Sequence, residues 1–165
     1  MPSAASNDDL AKRLALVEDQ LAIYQLVSSI GPLVDSNSLR EAAELWTEDG
    51  TFENDRGAWH GRDEIRGMLE ETPHQSLVGG GVGHVLSLPQ VVLDGDTAVA
   101  TLYGSVFRYS GDGRFTVFRV LASRLECIRT ADGWQISRRT NQLLDGSPKA
   151  PQLLAGLREA AVLDV

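Results

Sequence analysis

The residues best suited to chemistry are three histidines, at positions 60, 74 and 84, and a single cysteine, Cys127. Zinc sites usually take His and Cys at short, fixed spacings, and these residues follow none of those patterns. Histidine is also the side chain whose charge changes near neutral pH, which suits it to proton transfer. The sequence therefore predicts no metal site and favours acid–base chemistry.

A glycine-rich segment, Gly79-Gly80-Gly81-Val82-Gly83, stands directly before His84. It lacks the Lys-Ser/Thr pair of a phosphate-binding P-loop, and a strand is expected after it instead of a helix. The chain also lacks the Gly-x-Ser-x-Gly turn of serine hydrolases. The segment is predicted to be a loop, either an ordinary connector or a mobile rim of a binding cavity.

Composition narrows the class of protein. The 165 residues include 15 Lys and Arg against 23 Asp and Glu, for a formal net charge of −8, so nucleic acid is not an expected partner. No run approaches the roughly 18 apolar residues of a membrane span, and the first residues lack the features of a secretory signal. One cysteine cannot form an internal disulfide. We expect a cytoplasmic single domain over residues 1–165, with no membrane contact.

The elements that must position these residues begin with a long helix. The helix is predicted from apolar residues that follow one another at intervals of four and three residues and so form one stripe. They are Leu10, Leu14, Val17, Leu21 and Tyr24. Asp8 and Asp9 are predicted to cap it, and Gly31-Pro32 to interrupt it, which sets Asp35 near its inner end. The stripe is expected to pack either on the sheet of the same chain or on a neighbouring subunit.

Two shorter helices are predicted downstream. One covers Leu39 to Trp46, with Ser38 and Glu41 as a capping box at its start. The other covers the stretch from Gly61 or Arg62 to Pro73 and ends there because proline cannot continue a helix. The segment between them contains a predicted short strand at residues 51–53.

The second half of the chain changes to strand periodicity. Asp-Gly turns, a strong hairpin signal, separate four β-rich stretches, which are Val85 to Leu93, Ala98 to Tyr109, Phe115 to Arg129 and Trp134 to Leu144. A last helix is predicted from about Pro151 to Leu163. Three helices followed by a meander indicate an α+β fold, with helices packed on one face of an antiparallel sheet.

Six motifs, in this order, resemble the SnoaL-like branch of the nuclear transport factor 2-like superfamily. They are Val34-Asp35 with Leu45-Trp46-Thr47-Glu48-Asp49-Gly50; Gly61-Arg62-Asp63-Glu64-Ile65; Gly83-His84-Val85; Asp94-Gly95-Asp96-Thr97-Ala98; Ser123-Arg124-Leu125; and Asp132-Gly133-Trp134-Gln135-Ile136. The resemblance covers roughly residues 10–145, leaving 146–165 as a C-terminal extension. It implies a curved sheet wrapped by three helices into a cone around a deep, largely apolar cavity. Family members include scytalone dehydratase, bile-acid 7α-dehydratase, ketosteroid isomerases and polyketide cyclases, so the site must decide the function.

The resemblance assigns a catalytic pair to Asp35 and His84. Dehydratase-like members carry an Asp at the end of the first helix and a His at the start of the first long strand. A buried carboxylate holds an imidazole in one tautomer and raises its proton affinity, which suits abstraction of a carbon-bound proton. Taken alone, each residue is more often structural, Asp35 as a turn or cap residue and His84 as a hydrogen-bonded residue after a loop.

The sequence departs from the dehydratase pattern near this pair. The inward positions beside Asp35 are Ile30 and Val34, where those enzymes place a tyrosine. The second histidine of scytalone dehydratase has no evident counterpart, and the late-strand arginine of the bile-acid enzyme would fall near Leu143. These differences put the substrate and the leaving group in doubt.

The cavity implied by the resemblance needs apolar walls and polar contacts. The predicted apolar lining is Phe52, Trp59, Met68, Tyr103 and Phe107. Arg124 is expected either to polarise a substrate carbonyl or to pair with Glu126 or Asp35. Asn141 and Arg139 share a face of the final strand and could supply further polar contacts.

The resemblance thus predicts a cofactor-independent lyase or isomerase that acts on a hydrophobic cyclic molecule such as a steroid, polyketide or aromatic. It also predicts a homo-oligomer of two or three subunits. One alternative is a module that binds a small ligand without turnover, for which Asp35 and His84 should lie more than about 5 Å apart. Another is a structural partner subunit like the β subunit of a ring-hydroxylating dioxygenase, with little cavity volume.

Overall fold

A computed structural model of the chain describes residues 6–162, and only the backbone of 156–162. Residues 1–5 and the predicted helix end at Leu163 lie outside the described residues. The elements in order are α1 (Asn7–Asp35), α2 (Leu39–Glu44), β1 (Trp46–Asn54), β2 (Gly57–His60), α3 (Arg62–Glu70), α4 (Thr72–Gly79), β3 (Val82–Leu86), β4 (Gln90–Asp94), β5 (Thr97–Tyr109), β6 (Phe115–Thr130), β7 (Gly133–Leu143) and α5 (Lys149–Val162). The predicted α+β class is confirmed.

The strands form one curved sheet in the order β2-β1-β7-β6-β5-β3, and β4 pairs with β5 beyond the end of β3. Neighbours are antiparallel except for β1 and β7, which run parallel. The predicted single strand from Val85 to Leu93 is wrong, because residues 87–89 separate β3 from β4. Pro89 has no N–H to donate to a sheet ladder, which explains the break.

Helix α1 is longer than its pattern predicted. The Ser6 hydroxyl caps it by accepting a hydrogen bond from the Asp9 N–H at 3.2 Å, so Asp8 and Asp9 lie in the first turn instead of at the cap. The predicted interruption at Gly31-Pro32 is also wrong, since the helix continues through Pro32 to Asp35. Packing of the last turns against β3 stabilises these residues as helix in spite of the proline.

The remaining corrections concern short elements between α1 and β3. Helix α2 ends at Glu44, and Ser38 makes no side-chain capping bond, so the capping box is wrong. Strand β2 and helix α4 were not predicted. Pro73 lies in the first turn of α4, where its missing N–H is tolerated, instead of only ending α3. The predicted glycine-rich loop therefore shrinks to the junction between α4 and β3.

The core lies between the helices and the sheet. Its fully buried side chains include Ile23 of α1, Ile65 of α3, Leu125 of β6 and Ile136 of β7. Cys127 of β6 is also buried there, and burial raises the pKa of its thiol to about 12, so the thiol stays protonated at neutral pH. Helix α5 packs against β4 to β7. None of the described helices is long and apolar enough to cross a membrane.

Candidate active site

Asp35 and His84 meet where the end of α1 packs against β3. The Nδ1 atom of His84 lies 2.5 Å from Oδ1 of Asp35, and the backbone N–H of His84 donates to Oδ2 at 2.8 Å. Both carboxylate oxygens therefore bind the same residue. About a quarter of each side chain is exposed, so the pair is sheltered but reachable.

This double contact fixes the histidine tautomer. An ionised carboxylate can only accept hydrogen bonds, so the proton between Asp35 and His84 belongs to Nδ1. The Nε2 atom, on the other side of the imidazole ring, then carries a lone pair. His84 can therefore accept a proton at Nε2 while Asp35 holds the ring in place.

Gly31 allows α1 to come close enough for this contact. It lies one helical turn before Asp35, and a Cβ atom at this position would clash with the backbone carbonyl oxygen of His84. Only glycine fits where two backbones approach this closely. The residue that the sequence suggested as a helix breaker thus sets the distance between the helix and the strand.

His84 lies on the wall of a cavity of about 130 Å³ between the sheet and the helices. Most of the wall is apolar, with side chains that include Ile30, Val34, Phe52, Met68, Leu86 and Leu121. The polar part of the wall includes His74, Arg139 and Asn141. The cavity can hold a small, mostly apolar ligand with a few directed polar contacts.

His74 of α4 is the second histidine on this wall. Its ring centroid lies 6.1 Å from that of His84, and its Nε2 atom is buried without a hydrogen-bond partner among the described residues. Burial lowers the pKa of His74, and its neighbours His84 and Arg56 lower it further, whereas Asp35 raises it. Sequence reasoning missed this residue, although Thr72-Pro73 is a typical helix start and could have indicated α4.

A polar chain crosses the inner face of β6 and β7. The Ser123 hydroxyl donates to Oδ1 of Asn141 at 2.7 Å, and Nε of Arg139 donates to the Ser123 oxygen at 3.3 Å. The Arg139 guanidinium also lies over the Phe52 ring, 5.4 Å from its centroid. Burial lowers the pKa of Arg139 to about 10, so the group is still charged at neutral pH.

A second, wider pocket of about 320 Å³, which we call the vestibule, adjoins the cavity. Arg56, Phe118 and Arg119 belong to both spaces, and Arg108 lies on the vestibule wall. Arg119 forms an ion pair with Asp55, which also lines the cavity. Three arginines thus lie on the vestibule wall of a protein whose net charge is −8.

Some of the residues that were predicted to contact a ligand line the cavity, and others do not. Phe52, Met68 and Asn141 line the cavity, while Trp59 lies behind the wall and stacks on Phe52 at 5.6 Å between centroids. Their roles in binding stay predictions.

Three predicted contacts need correction, since Tyr103, Phe107 and Arg124 are not on the cavity wall. Successive strand residues point to opposite faces, and it is Val106 of β5 and Ser123 of β6 whose side chains face the interior. Tyr103 is consequently 53% exposed. Arg124 pairs with Glu126 at 3.5 Å, which was one of the alternatives from the sequence.

The described residues do not form a metal site, since no three His, Cys, Asp or Glu side chains among them come together as metal ligands would.

Comparisons with known proteins agree with this architecture. An NTF2-like protein with a cystatin-like fold from Novosphingobium aromaticivorans is 38% identical over 92% of this chain and 99% of its own, with a TM-score of 0.88. A proposed aromatic ring hydroxylase from the same organism is 25% identical over 78% of this chain and 90% of its own, with a TM-score of 0.65. ActVI-ORFA from Streptomyces coelicolor is 20% identical over 77% and 98%, with a TM-score of 0.67. Curated protein sequences contain no significant match.

A SnoaL-like domain is matched over residues 15–140, which extends from α1 into β7. This range contains Asp35, His84 and Arg139, so the site lies within the matched domain. The fold of the solved structures and the matched domain lead to the same family. The chain belongs to the SnoaL-like family and has the cone-shaped NTF2-like fold that its motifs predicted.

Proposed function

We propose that this protein is a cofactor-independent lyase or isomerase in which His84 moves a proton at a carbon atom of a hydrophobic ring compound. The single observation that carries the proposal is the contact of both Asp35 carboxylate oxygens with His84 on the wall of an apolar cavity. A histidine without a chemical role would not need a carboxylate that fixes its ring in one orientation. The arrangement matches a general base that is held by a positioning carboxylate.

The proton transfer follows from the tautomer. Nε2 of His84 takes a proton from a carbon next to an electron-withdrawing group, and the ring becomes an imidazolium. The carboxylate of Asp35 stabilises this positive charge through Nδ1, in surroundings with little water to screen it. The imidazolium then returns the proton, either to a leaving group on the neighbouring carbon or to another carbon of the same molecule.

The size of the cavity favours a small substrate. An engineered cavity of about 150 Å³ binds benzene, so the volume here of about 130 Å³ suits one aromatic ring. A steroid or an extended polyketide would have to occupy the vestibule as well. The relationship to a proposed aromatic ring hydroxylase, at 25% identity, also supports an aromatic ligand.

The geometry of the Asp35–His84 pair favours catalysis over binding without turnover. A binding module was expected to hold Asp35 and His84 more than about 5 Å apart, whereas Nδ1 and Oδ1 lie 2.5 Å apart. A purely structural subunit was expected to have little cavity volume, and it would leave this pair without a task. Neither alternative accounts for the positioned base.

We further propose that the protein is a homo-oligomer. The early stripe of α1 is more than half exposed, at Leu10, Leu14, Val17 and Leu21. A row of large apolar side chains on one helix face is typical of a subunit contact.

Proton abstraction can be tested without knowing the natural substrate. Small ring ketones such as 2-indanone exchange the hydrogens next to the carbonyl for deuterium when a base removes them. We expect the wild-type protein to speed this exchange in heavy water, and His84→Ala or Asp35→Asn to lower the rate on the order of 10²–10⁴-fold. Nuclear magnetic resonance measures the exchange directly.

His60→Gln is the matched control, because His60 lies exposed on β2 and is not on the cavity wall. This variant should keep the wild-type rate. If His84→Ala and Asp35→Asn exchange ring ketones as fast as the wild type does, His84 is not the base.

A further inference from the structure

Arg139 is a buried cation with no carboxylate partner in the part of the chain that the structure describes. The side chain is 7% exposed, and none of the ion pairs among the described residues includes it. Its neighbour on β7, Arg138, points to the other face and pairs with Glu53 at 3.6 Å. A charged group that is removed from water is costly unless an opposite charge and hydrogen bonds compensate it.

The free donors of Arg139 face the cavity. Its Nε bonds Ser123, but the two terminal nitrogens make no hydrogen bond to the described residues. Neither terminal nitrogen is among the fully buried polar atoms that lack a hydrogen bond, so both keep some accessible surface. Since Arg139 lies on the cavity wall, this surface faces the cavity. The planar fork of a guanidinium, open on one side, is the group that best binds two oxygen atoms of an anion.

The other charges around the cavity add to this attraction. Asp55 is compensated by Arg119, and Asp35 is bonded to His84 but does not itself line the cavity. Among the described residues of the wall, Arg56 and Arg139 have no carboxylate partner. This local excess of positive charge contrasts with the net charge of the whole protein, which is −8. An apolar cavity with such a charge selects ligands that are both hydrophobic and anionic.

We propose that the ligand of this cavity carries an oxygen anion on its ring, a carboxylate or a phenolate, and that the terminal nitrogens of Arg139 bind this anion. The inference rests on the proposed function only in that the ligand enters the cavity where His84 lies. Phe52 supports the guanidinium from one face and Ser123 holds Nε, so the fork is fixed before the ligand arrives.

Two pairs of probes test the charge preference by isothermal titration calorimetry on the full chain. Benzoate is compared with neutral benzamide, and 4-nitrophenolate with neutral nitrobenzene. We expect the anion of at least one pair to bind the wild type about tenfold or more tightly than its neutral counterpart. Preference in the benzoate pair identifies a carboxylate ligand, and preference in the nitrophenolate pair identifies a phenolate. No preference in either pair overturns the proposal.

Arg139→Met should abolish the preference while the neutral probe still binds. Arg138→Met is the matched control, since it removes the same charge from the next residue on the other face and should keep the preference. A preference that survives in Arg139→Met also overturns the proposal, because the arginines of the vestibule would then be its source.

A crystal structure of the wild-type complex with benzoate or 4-nitrophenolate does not depend on the folding of any variant. The oxygen anion must lie within hydrogen-bond distance of the terminal nitrogens of Arg139, and an anion bound elsewhere in the cavity refutes the assignment. His84→Ala should keep the anion preference although it loses proton exchange. The failure of this inference is therefore distinguishable from the failure of the proposed function.

Discussion

His74 and His84 share one cavity wall but differ in what surrounds them. His84 has a carboxylate on one ring nitrogen, whereas the buried Nε2 atom of His74 has no hydrogen-bond partner among the residues that the structure describes. The same type of side chain therefore lies in two different electrostatic surroundings. His84 is hydrogen-bonded to the Asp35 carboxylate, while burial disfavours a proton on His74.

The lowered pKa of His74 makes the stability of the protein sensitive to acid. Below the ordinary histidine pKa of about 6.5, the unfolded chain binds a proton at residue 74 more readily than the folded protein does. Acid therefore stabilises the unfolded state relative to the folded state. The stabilising contribution of neutral His74 is thus complete above that value and is lost as the pH falls through it.

We expect His74→Gln to reduce the loss of stability between neutral and mildly acidic pH. Urea denaturation at a series of pH values measures the free energy of unfolding for both proteins. His60→Gln should leave the pH dependence as it is in the wild type, because His60 is exposed on β2. An unchanged slope in His74→Gln would show that other groups cause the acid sensitivity.

The sequence predicted the contact of Asp35 with His84 better than the residues of the cavity wall. Asp35 and His84 were identified through motifs that mark the ends of elements, and such positions tolerate small errors in element length. The lining residues depend on which way each strand residue points, and an error of one position exchanges the two faces. The choice between Arg124, Arg139 and Asn141 stayed open for this reason, because nothing in the strand sequences shows which of two alternating sets faces the helices.

At the scale of elements, the site depends on how closely α1 approaches β3. The two backbones meet at Gly31 and His84, so a side chain at residue 31 must push the helix away from the strand. Any such shift separates Asp35 from His84, because His84 is itself the contacted residue and Asp35 lies one helical turn after Gly31.

Gly31→Ala should therefore be harmful although alanine favours helix. Alanine gains about 1 kcal/mol over glycine inside an exposed helix, but forcing a Cβ into the backbone contact costs about 1–3 kcal/mol. We expect a lower melting temperature together with slower proton exchange on ring ketones. Thermal unfolding and the exchange assay measure the two effects.

Gly67→Ala on α3 is the control for this variant, because a Cβ there meets no atom within 4 Å. It should stabilise the protein slightly and leave exchange unchanged. If both glycine variants behave alike, the close approach at residue 31 does not control the site.

The long elements were predictable from local patterns, and the short ones were not. Periodicity and Asp-Gly turns indicated α1 and the strands β5, β6 and β7 correctly. Strand β2 has only four residues, which is too short for a clear pattern. Helix α4 begins at Thr72, shortly after α3 ends, so Pro73 signals both the end of one helix and the start of the next. The pairing of β1 with β7 depends on contacts between distant parts of the chain, which no local pattern reveals.

At the scale of the whole molecule, the first half of α1 extends its apolar stripe into solvent. If this face joins subunits, replacing Leu14 and Leu21 with glutamine should shift the protein toward a monomer while the cavity stays intact. Light scattering after gel filtration measures the mass. Leu88→Gln is the control, since Leu88 is 74% exposed between β3 and β4 and should not affect assembly. A wild-type protein of monomeric mass would contradict the proposal.

The parallel pairing of β1 with β7 has a consequence for the order in which the protein is made. Phe52 of β1 is paired with Arg139 of β7, which a ribosome synthesises much later. Until β7 has emerged, only the β2 side of β1 is paired, and the cavity wall lacks Arg139 and Asn141, which β7 supplies. The nascent chain therefore cannot complete its cavity early, and the wall that holds the polar contacts closes last.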